Sequence, residues 1–231
     1  WVDKHTRHHA HPNTEGVDPD ISSRVLVFTP AQARARTGVL AKALARAQAW
    51  MFFPALLLEG INLHVSSVRA LLDDSRRRYS RPVEAALLFV HTAAYLTAVF
   101  VVLSPWQAVA FLAIHQGLFG LYMGASFAPN HKGMPILPAA DQRDFLHRQV
   151  VTSRNVRGGP IVDFALGGLN YQIEHHLFPS MPRPNLRRAQ SLVREYCQSH
   201  GVFYREDTLL GSYGQTLRHL ASVANPAAEP Q

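Results

Sequence analysis

Apolar and polar positions along the 231-residue chain divide it into regimes of different reach. From Pro82 to His131 the only formally charged residue is Glu84. Within that stretch, Ala85 to Leu103 and Trp106 to Phe127 are apolar runs of the length that crosses a hydrocarbon core, which takes about 20 residues of helix. Ser104 and Pro105 part them. Two spans joined by so short a link form a helical hairpin, with Trp106 at the water interface where aromatic anchors collect. A buried soluble hairpin is the alternative, but a chain this small cannot cover so much apolar surface.

Upstream the pattern is more mixed. Thr29 and Pro30 make a helix start, and Ala31 to Ala49 sets Arg34, Arg36, Lys42 and Arg46 among alanines and leucines, as a basic amphipathic helix at a membrane surface does. Trp50 to Leu58 is apolar but too short to span, so it is expected to lie in the interface or to dip in and return. Near the other end, Asn185 reads as the cap of a helix running to His200. Gly201 follows it, and Leu186, Ala189, Leu192, Val193 and Tyr196 form its apolar stripe. Residues 222–231 read as a flexible tail. The fold class these elements imply is all-α: an integral membrane helical bundle with one transmembrane hairpin (85–103 and 106–127) and a helical cap outside the bilayer.

Charge adds an orientation. The formal net charge is +7, from 23 Lys and Arg against 16 Asp and Glu. Arg76, Arg77, Arg78 and Arg81 precede the hairpin, Lys132, Arg143, Arg148, Arg154 and Arg157 follow it, and its tip carries none. Positive flanks stay in the cytoplasm, so both ends of the hairpin are expected there. That assigns the basic surplus to the bilayer; no nucleic-acid-binding motif is present, and nucleic acid is not an expected partner. Cys197, the single cysteine, has neither a disulfide partner nor a metal-ligand spacing and reads as a packing residue. No secretory leader is visible at Trp1, and the N-terminus reads as truncated.

The chemistry lies in the histidines. In "KHTRHHAHPN" His5, His8 and His9 stand at i, i+3 and i+4, and in "NYQIEHHLFP" Gln172, His175 and His176 repeat that spacing. Such positions share one helix face. Alone, the second pair reads equally well as the end of a helix before Pro179. Two clusters of one spacing, both brought by the hairpin to the same membrane surface, point instead to metal. Neutral imidazole suits iron, copper, zinc or nickel, so spacing alone does not choose among them. Five histidines exceed what one closed tetrahedral zinc uses, which points to two ions. His131, in "SFAPNHKGMP" where the second span ends, is a further candidate. Asp18, Asp20 and Glu174 are candidates for orienting the imidazoles. Arg183, Arg187 and Arg188 are candidates for acyl-CoA phosphates or lipid head groups, with a solvated charged face as the plain alternative.

"HTRHH" resembles the second histidine box, H-x-x-H-H, and "QIEHHLFP" the third box, Q-x-x-H-H, of the membrane fatty acid desaturases; the glutamine variant is similar to the front-end and related bacterial acyl desaturases. The resemblance also covers "SRNVRGG" to "MPRPNL". It implies a di-iron centre held by His5, His8, His9, His175 and His176, with His131 matching the histidine such enzymes place just after the last span. Gln172 takes the first position of the third box as a weak ligand or through water. It further implies O2 as co-substrate, an acyl-CoA or acyl-lipid substrate, cis desaturation, and electrons from an external ferredoxin or cytochrome b5-type donor and its reductase. The setting it implies is a multi-pass protein of a bacterial plasma membrane, with the active site on the cytoplasmic side. The family's first box, H-x(3,4)-H, has no counterpart here, nor has the membrane hairpin that accompanies it. The chain, 1–231, is therefore expected to be the C-terminal part of a desaturase domain and inactive by itself. A histidine-box hydroxylase or ketolase would use the same ligands, and a non-catalytic membrane metal-binding protein is the reading from a different class.

Overall fold

Helices make up nearly all the regular structure of the computed structural model, which describes residues 2–22, 25–73 and 81–224. Arg76, Arg77, Arg78 and residues 225–231 of the expected tail lie outside the described residues. In chain order the elements are α1 (Val2–Ala10), α2 (Pro30–Arg34), α3 (Val39–Leu56), α4 (Glu59–Leu72), α5 (Arg81–Val102), α6 (Pro105–His131) and α7 (Phe145–Val151). Then come β1 (Asn155–Arg157), α8 (Pro160–Ala165), α9 (Gln172–Leu177), α10 (Arg183–Ser199), β2 (Glu206–Thr208) and α11 (Leu209–Ala224). The chain is thus all-α in class, with one parallel pair of three-residue strands. It divides into two units: residues 53–124, and the remainder on both sides of that stretch.

The unit 53–124 holds the apolar hairpin. The run Trp106–Phe127 falls within α6, and Ala85–Leu103 falls within α5 except for Leu103, one residue past its end; both helices are long and apolar enough to cross a membrane. Pro105 opens α6, where a missing N–H costs nothing, and so fixes the break at Ser104. Small residues allow close helix approach here. A Cβ at Gly120 would lie 2.5 Å from the Leu56 carbonyl oxygen and 2.6 Å from the Gly60 nitrogen, and one at Gly60 would lie 2.6 Å from the Gln116 carbonyl oxygen. Glycine at both positions lets backbones meet where lipid supplies no hydrophobic drive. The Tyr95 hydroxyl donates to His115 Nδ1 at 2.7 Å, joining α5 to α6.

Two helix boundaries differ from the sequence expectation. Thr29 does cap a helix, its hydroxyl accepting from the Gln32 amide, but α2 ends at Arg34 and Gly38, at φ 85°, turns the chain before α3 begins. The expected single helix from Ala31 to Ala49 is therefore two, because glycine takes that left-handed conformation without strain. The apolar run Trp50–Leu58 ends α3 at a two-residue break, beyond which α4 is bent by 86°: a broken span or a re-entrant loop. Asn185 lies inside the first turn of α10 rather than at its cap. Pro184 occupies one of the first two helical positions, where proline is preorganised, and so starts the helix earlier. The other end matches: His200 caps it and Gly201 follows at φ 66°.

In the other unit, Val150, Ile173, Cys197 and Val202 pack together with Leu146, Leu177, Val193 and Tyr204, locking α7, α9 and α10 to one another. Cys197 is a core residue, fully buried. Arg154 corrects the simplest reading of the basic flank. It is fully buried, and its guanidinium donates to the carbonyls of Pro129, Lys132 and Ser212 and to Gln215 Oε1. Five donors in a planar fork suit it to collecting the carbonyls that α6 leaves unpaired at its C-terminal end. Lys132 likewise turns inward, donating to the Asp20 carbonyl and lying over the Phe28 ring.

Candidate metal centre

Six histidines converge from three helices. α1 carries His5, His8 and His9, the last residue of α6 is His131, and α9 carries His175 and His176. They sort into two groups of three, each with its ring nitrogens within 4.8 Å of one another: His5, His9 and His175, and His8, His131 and His176. Each box is therefore shared between the groups. On α1 the i, i+4 pair His5 and His9 turns to one group and His8 to the other; on α9, His175 and His176 part in the same way.

The spacing within the first group is that of ligands. His5 Nε2 and His9 Nε2 lie 3.0 Å apart. Two nitrogens each about 2.1 Å from one metal ion and at a right angle to each other are separated by about 3 Å. The second group is buried throughout, whereas His5 and His175 of the first are partly exposed. Each ring of the second group is also held at Nδ1. His8 donates to the Asp18 carboxylate at 3.0 Å, His131 to the Thr152 carbonyl at 3.0 Å and His176 to Gln149 Oε1 at 2.9 Å. A proton fixed at Nδ1 leaves the Nε2 lone pair as the ligand. The Nε2 of His176 is buried with no hydrogen-bond partner, as a group awaiting an ion is.

Burial and crowding disfavour charge on five of the rings. Burial, then the neighbouring His175, His5 and His8, lowers His9 to about 3. Burial, then His5 and Arg183, lowers His175 to about 4. His5 is lowered by burial and His8, and His176 is driven well below its usual value by burial and four surrounding imidazoles. Crowded neutral imidazoles with inward lone pairs fit a divalent transition metal far better than a set of solvated cations.

Around the rings the other expected residues take distinct places. Asp18, fully buried, also accepts from the backbone amides of Asn13 and Asp20, so the loop after α1 closes on the carboxylate that holds His8. Asn13 makes that loop possible at φ 49°, a conformation asparagine tolerates better than other side chains. Asp20 stands 3.5 Å from His8 Nδ1 and pairs with Lys4. Glu174 does not orient an imidazole. Its oxygens accept from Asn155 Nδ2 and the Tyr204 hydroxyl, because residues one and two places apart on a helix face apart. It braces α9 from behind. Gln172 lies beside the second group, its Oε1 accepting from Asn130 and its Nε2 donating to His131 Nε2 at 2.9 Å, a hydrogen bond that an ion at that nitrogen would replace. Arg183 donates to the Gly167 carbonyl, Arg187 lies 3.9 Å from Asp163, and Arg188 is exposed on α10. Gln149, Thr152 and Asn155 escape sequence reading, for a single polar residue in or beside a short helix carries no pattern.

The family model for fatty acid desaturases matches residues 1–208. Similar curated proteins include an acyl-lipid (9-3)-desaturase of Physcomitrium patens, 31% identical over 99% of this chain and 44% of its own length. A Delta(6)-fatty-acid desaturase of Caenorhabditis elegans is 30% identical over 97% of this chain and 53% of its own length. A Delta(8)-fatty-acid desaturase of Euglena gracilis is 31% identical over 98% and 56%. No solved structure matches. A chain with two histidine triads on a helical scaffold and an apolar hairpin is thus a histidine-box membrane protein. It belongs to the fatty acid desaturase family. The chain spans about half the length of the curated relatives it matches, and those relatives are eukaryotic, which lends no support to a bacterial setting.

Proposed function

We propose that this protein is the metal-bearing part of an O2-dependent fatty acyl desaturase that introduces a cis double bond into an acyl-CoA or acyl-lipid chain. The observation that carries the reading is the pairing of six imidazoles, four of them buried, into two triads. His5, His9 and His175 would hold one iron ion and His8, His131 and His176 the other, with Gln172 beside the second. An unactivated methylene has no proton that a side-chain base can remove, so an iron pair, when bound, would supply the oxidising power from O2, with two electrons from an external ferredoxin or cytochrome b5-type donor.

The chain's own residues do the rest. Asp18, the Thr152 carbonyl and Gln149 hold the Nδ1 protons of three imidazoles, so that none of those rings turns its lone pair away. Burial of His8, His9, His131 and His176 excludes water that would compete for the ions. α5 and α6 anchor the chain in the bilayer, where the acyl substrate resides, and the basic residues flanking them favour a cytoplasmic site. Arg183, Arg187 and Arg188 would meet an anionic head group; Arg183 is felt electrostatically at His175.

Desaturation is separated from hydroxylation or ketolation by product mass. Expression of the whole desaturase domain, of which these residues are proposed to be the metal-bearing part, in a host lacking the activity, with acyl chains followed by gas chromatography and mass spectrometry, should show O2-dependent loss of two hydrogens. Gain of one oxygen would make the protein a hydroxylase, and no O2-dependent product from any acyl substrate would remove the enzymatic reading.

A further inference from the structure

Gln149 is a fully buried side chain on α7 that no histidine motif includes. Its carbonyl Oε1 accepts from His176 Nδ1 at 2.9 Å, and its amide Nε2 donates to the main-chain carbonyl of His9 at 2.9 Å. His176 belongs to one triad and His9 to the other. The His9 carbonyl lies in the last turn of α1, where helix carbonyls have no partner within the helix. One side chain thus fixes a ring of the second triad and the helix end that carries two residues of the first.

The chemistry of this contact is specific. An amide offers a neutral acceptor and a donor on two separate atoms at the end of a stem that spans both partners; a carboxylate would accept from His176 but bring charge against the His9 carbonyl, and an apolar side chain would do neither. The rest of α7 holds Gln149 in place. Asp144 caps the helix by accepting from the His147 amide, and Val150 packs into the core with Ile173 of α9. Across the second triad the three Nδ1 partners differ in kind: a carboxylate for His8, a main-chain carbonyl for His131 and this amide for His176. Of the two neutral partners only Gln149 is a side chain, so only it can be exchanged without moving the backbone.

We infer that Gln149 is a positioning residue that sets the His176 ring for its metal ion and ties the two triads together through the His9 carbonyl. This rests on the dimetal reading above. Without the amide acceptor the His176 ring is free to turn, while the His5, His9 and His175 group keeps its own ligands. Loss of an outer partner of a ligating histidine commonly weakens metal binding about 10- to 100-fold.

The test is a titration of the purified metal-free chain with Co(II), whose visible bands report ligand field, followed by Fe(II) under anaerobic conditions. The native protein should take up two ions. Gln149→Met should bind the second triad's ion about 10- to 100-fold more weakly and keep the other ion with shifted Co(II) bands, since the His9 carbonyl loses its donor. Gln149→Glu, which keeps an acceptor for His176 and loses the donor to His9, should keep both ions but shift the Co(II) bands, since an anionic acceptor makes the imidazole a stronger donor. Native affinity and native bands in Gln149→Met would overturn the inference. Should that variant not fold, native bands in Gln149→Glu would overturn it as well. Fewer than two ions on the native protein would instead remove the dimetal reading on which it stands.

Discussion

At the scale of single residues, each side chain beside the rings has a task set by its hydrogen bonds. Gln172 fills the first position of the third box, and its amide donates to the nitrogen of His131 that faces the second triad. It is subordinate to the histidines, because an amide oxygen is a weaker ligand than imidazole. Gln172→His is therefore expected to keep both ions, whereas Gln172→Ala should lower metal retention about 10-fold, read as metal content after dialysis against a chelator. The imidazoles also set a pH dependence. His9 and His175 are held near 3 and 4 in the folded chain, against 6.5 when free. Between those values an unfolded chain takes up protons that the folded one refuses, so stability is full above about pH 6.5 and falls as pH drops toward 4. Chemical denaturation of the metal-free protein at pH 7.5 and 5 should give a lower midpoint at the acid pH; equal midpoints would contradict the neutral cluster.

At the scale of elements, the hairpin and the histidine helices were legible because each repeats a period. Fifty residues with one charge, and i, i+3, i+4 histidines, are signals that no tertiary contact need interpret. Their pairing was not. That His5 and His9 join His175 while His8 joins His176 depends on how α1 crosses α9, which no local pattern encodes. The break at Gly38 was readable from the glycine but was masked by the basic periodicity on both sides of it. Glu174 stands out in the sequence because its neighbours are the histidine pair, although helix geometry turns it away from them toward Asn155 and Tyr204. Glycine in α6 gives the sharpest test at this scale. Gly120→Val would drive a side chain onto the Leu56 carbonyl and the Gly60 amide, and overpacking of this kind costs about 1–3 kcal/mol. The variant should unfold in detergent at a lower temperature than the native protein, while Gly16→Ala, which meets no heavy atom, has only its positive φ of 74° to strain it and should lose less.

At the scale of the whole molecule, the chain combines an apolar hairpin with a unit that gathers six imidazoles from helices far apart in sequence. The family match spans most of the chain, and the relatives named after desaturation align with nearly all of it. Those relatives are named for different double-bond positions. The central proposal is that the two triads hold two ions. The most direct measurement is iron per chain after anaerobic Fe(II) loading and desalting, for the native protein, His175→Ala and His176→Ala. The account predicts two ions on the native chain and one on each variant, since each substitution empties a different triad. One ion or none on the native protein, or two on both variants, would contradict it.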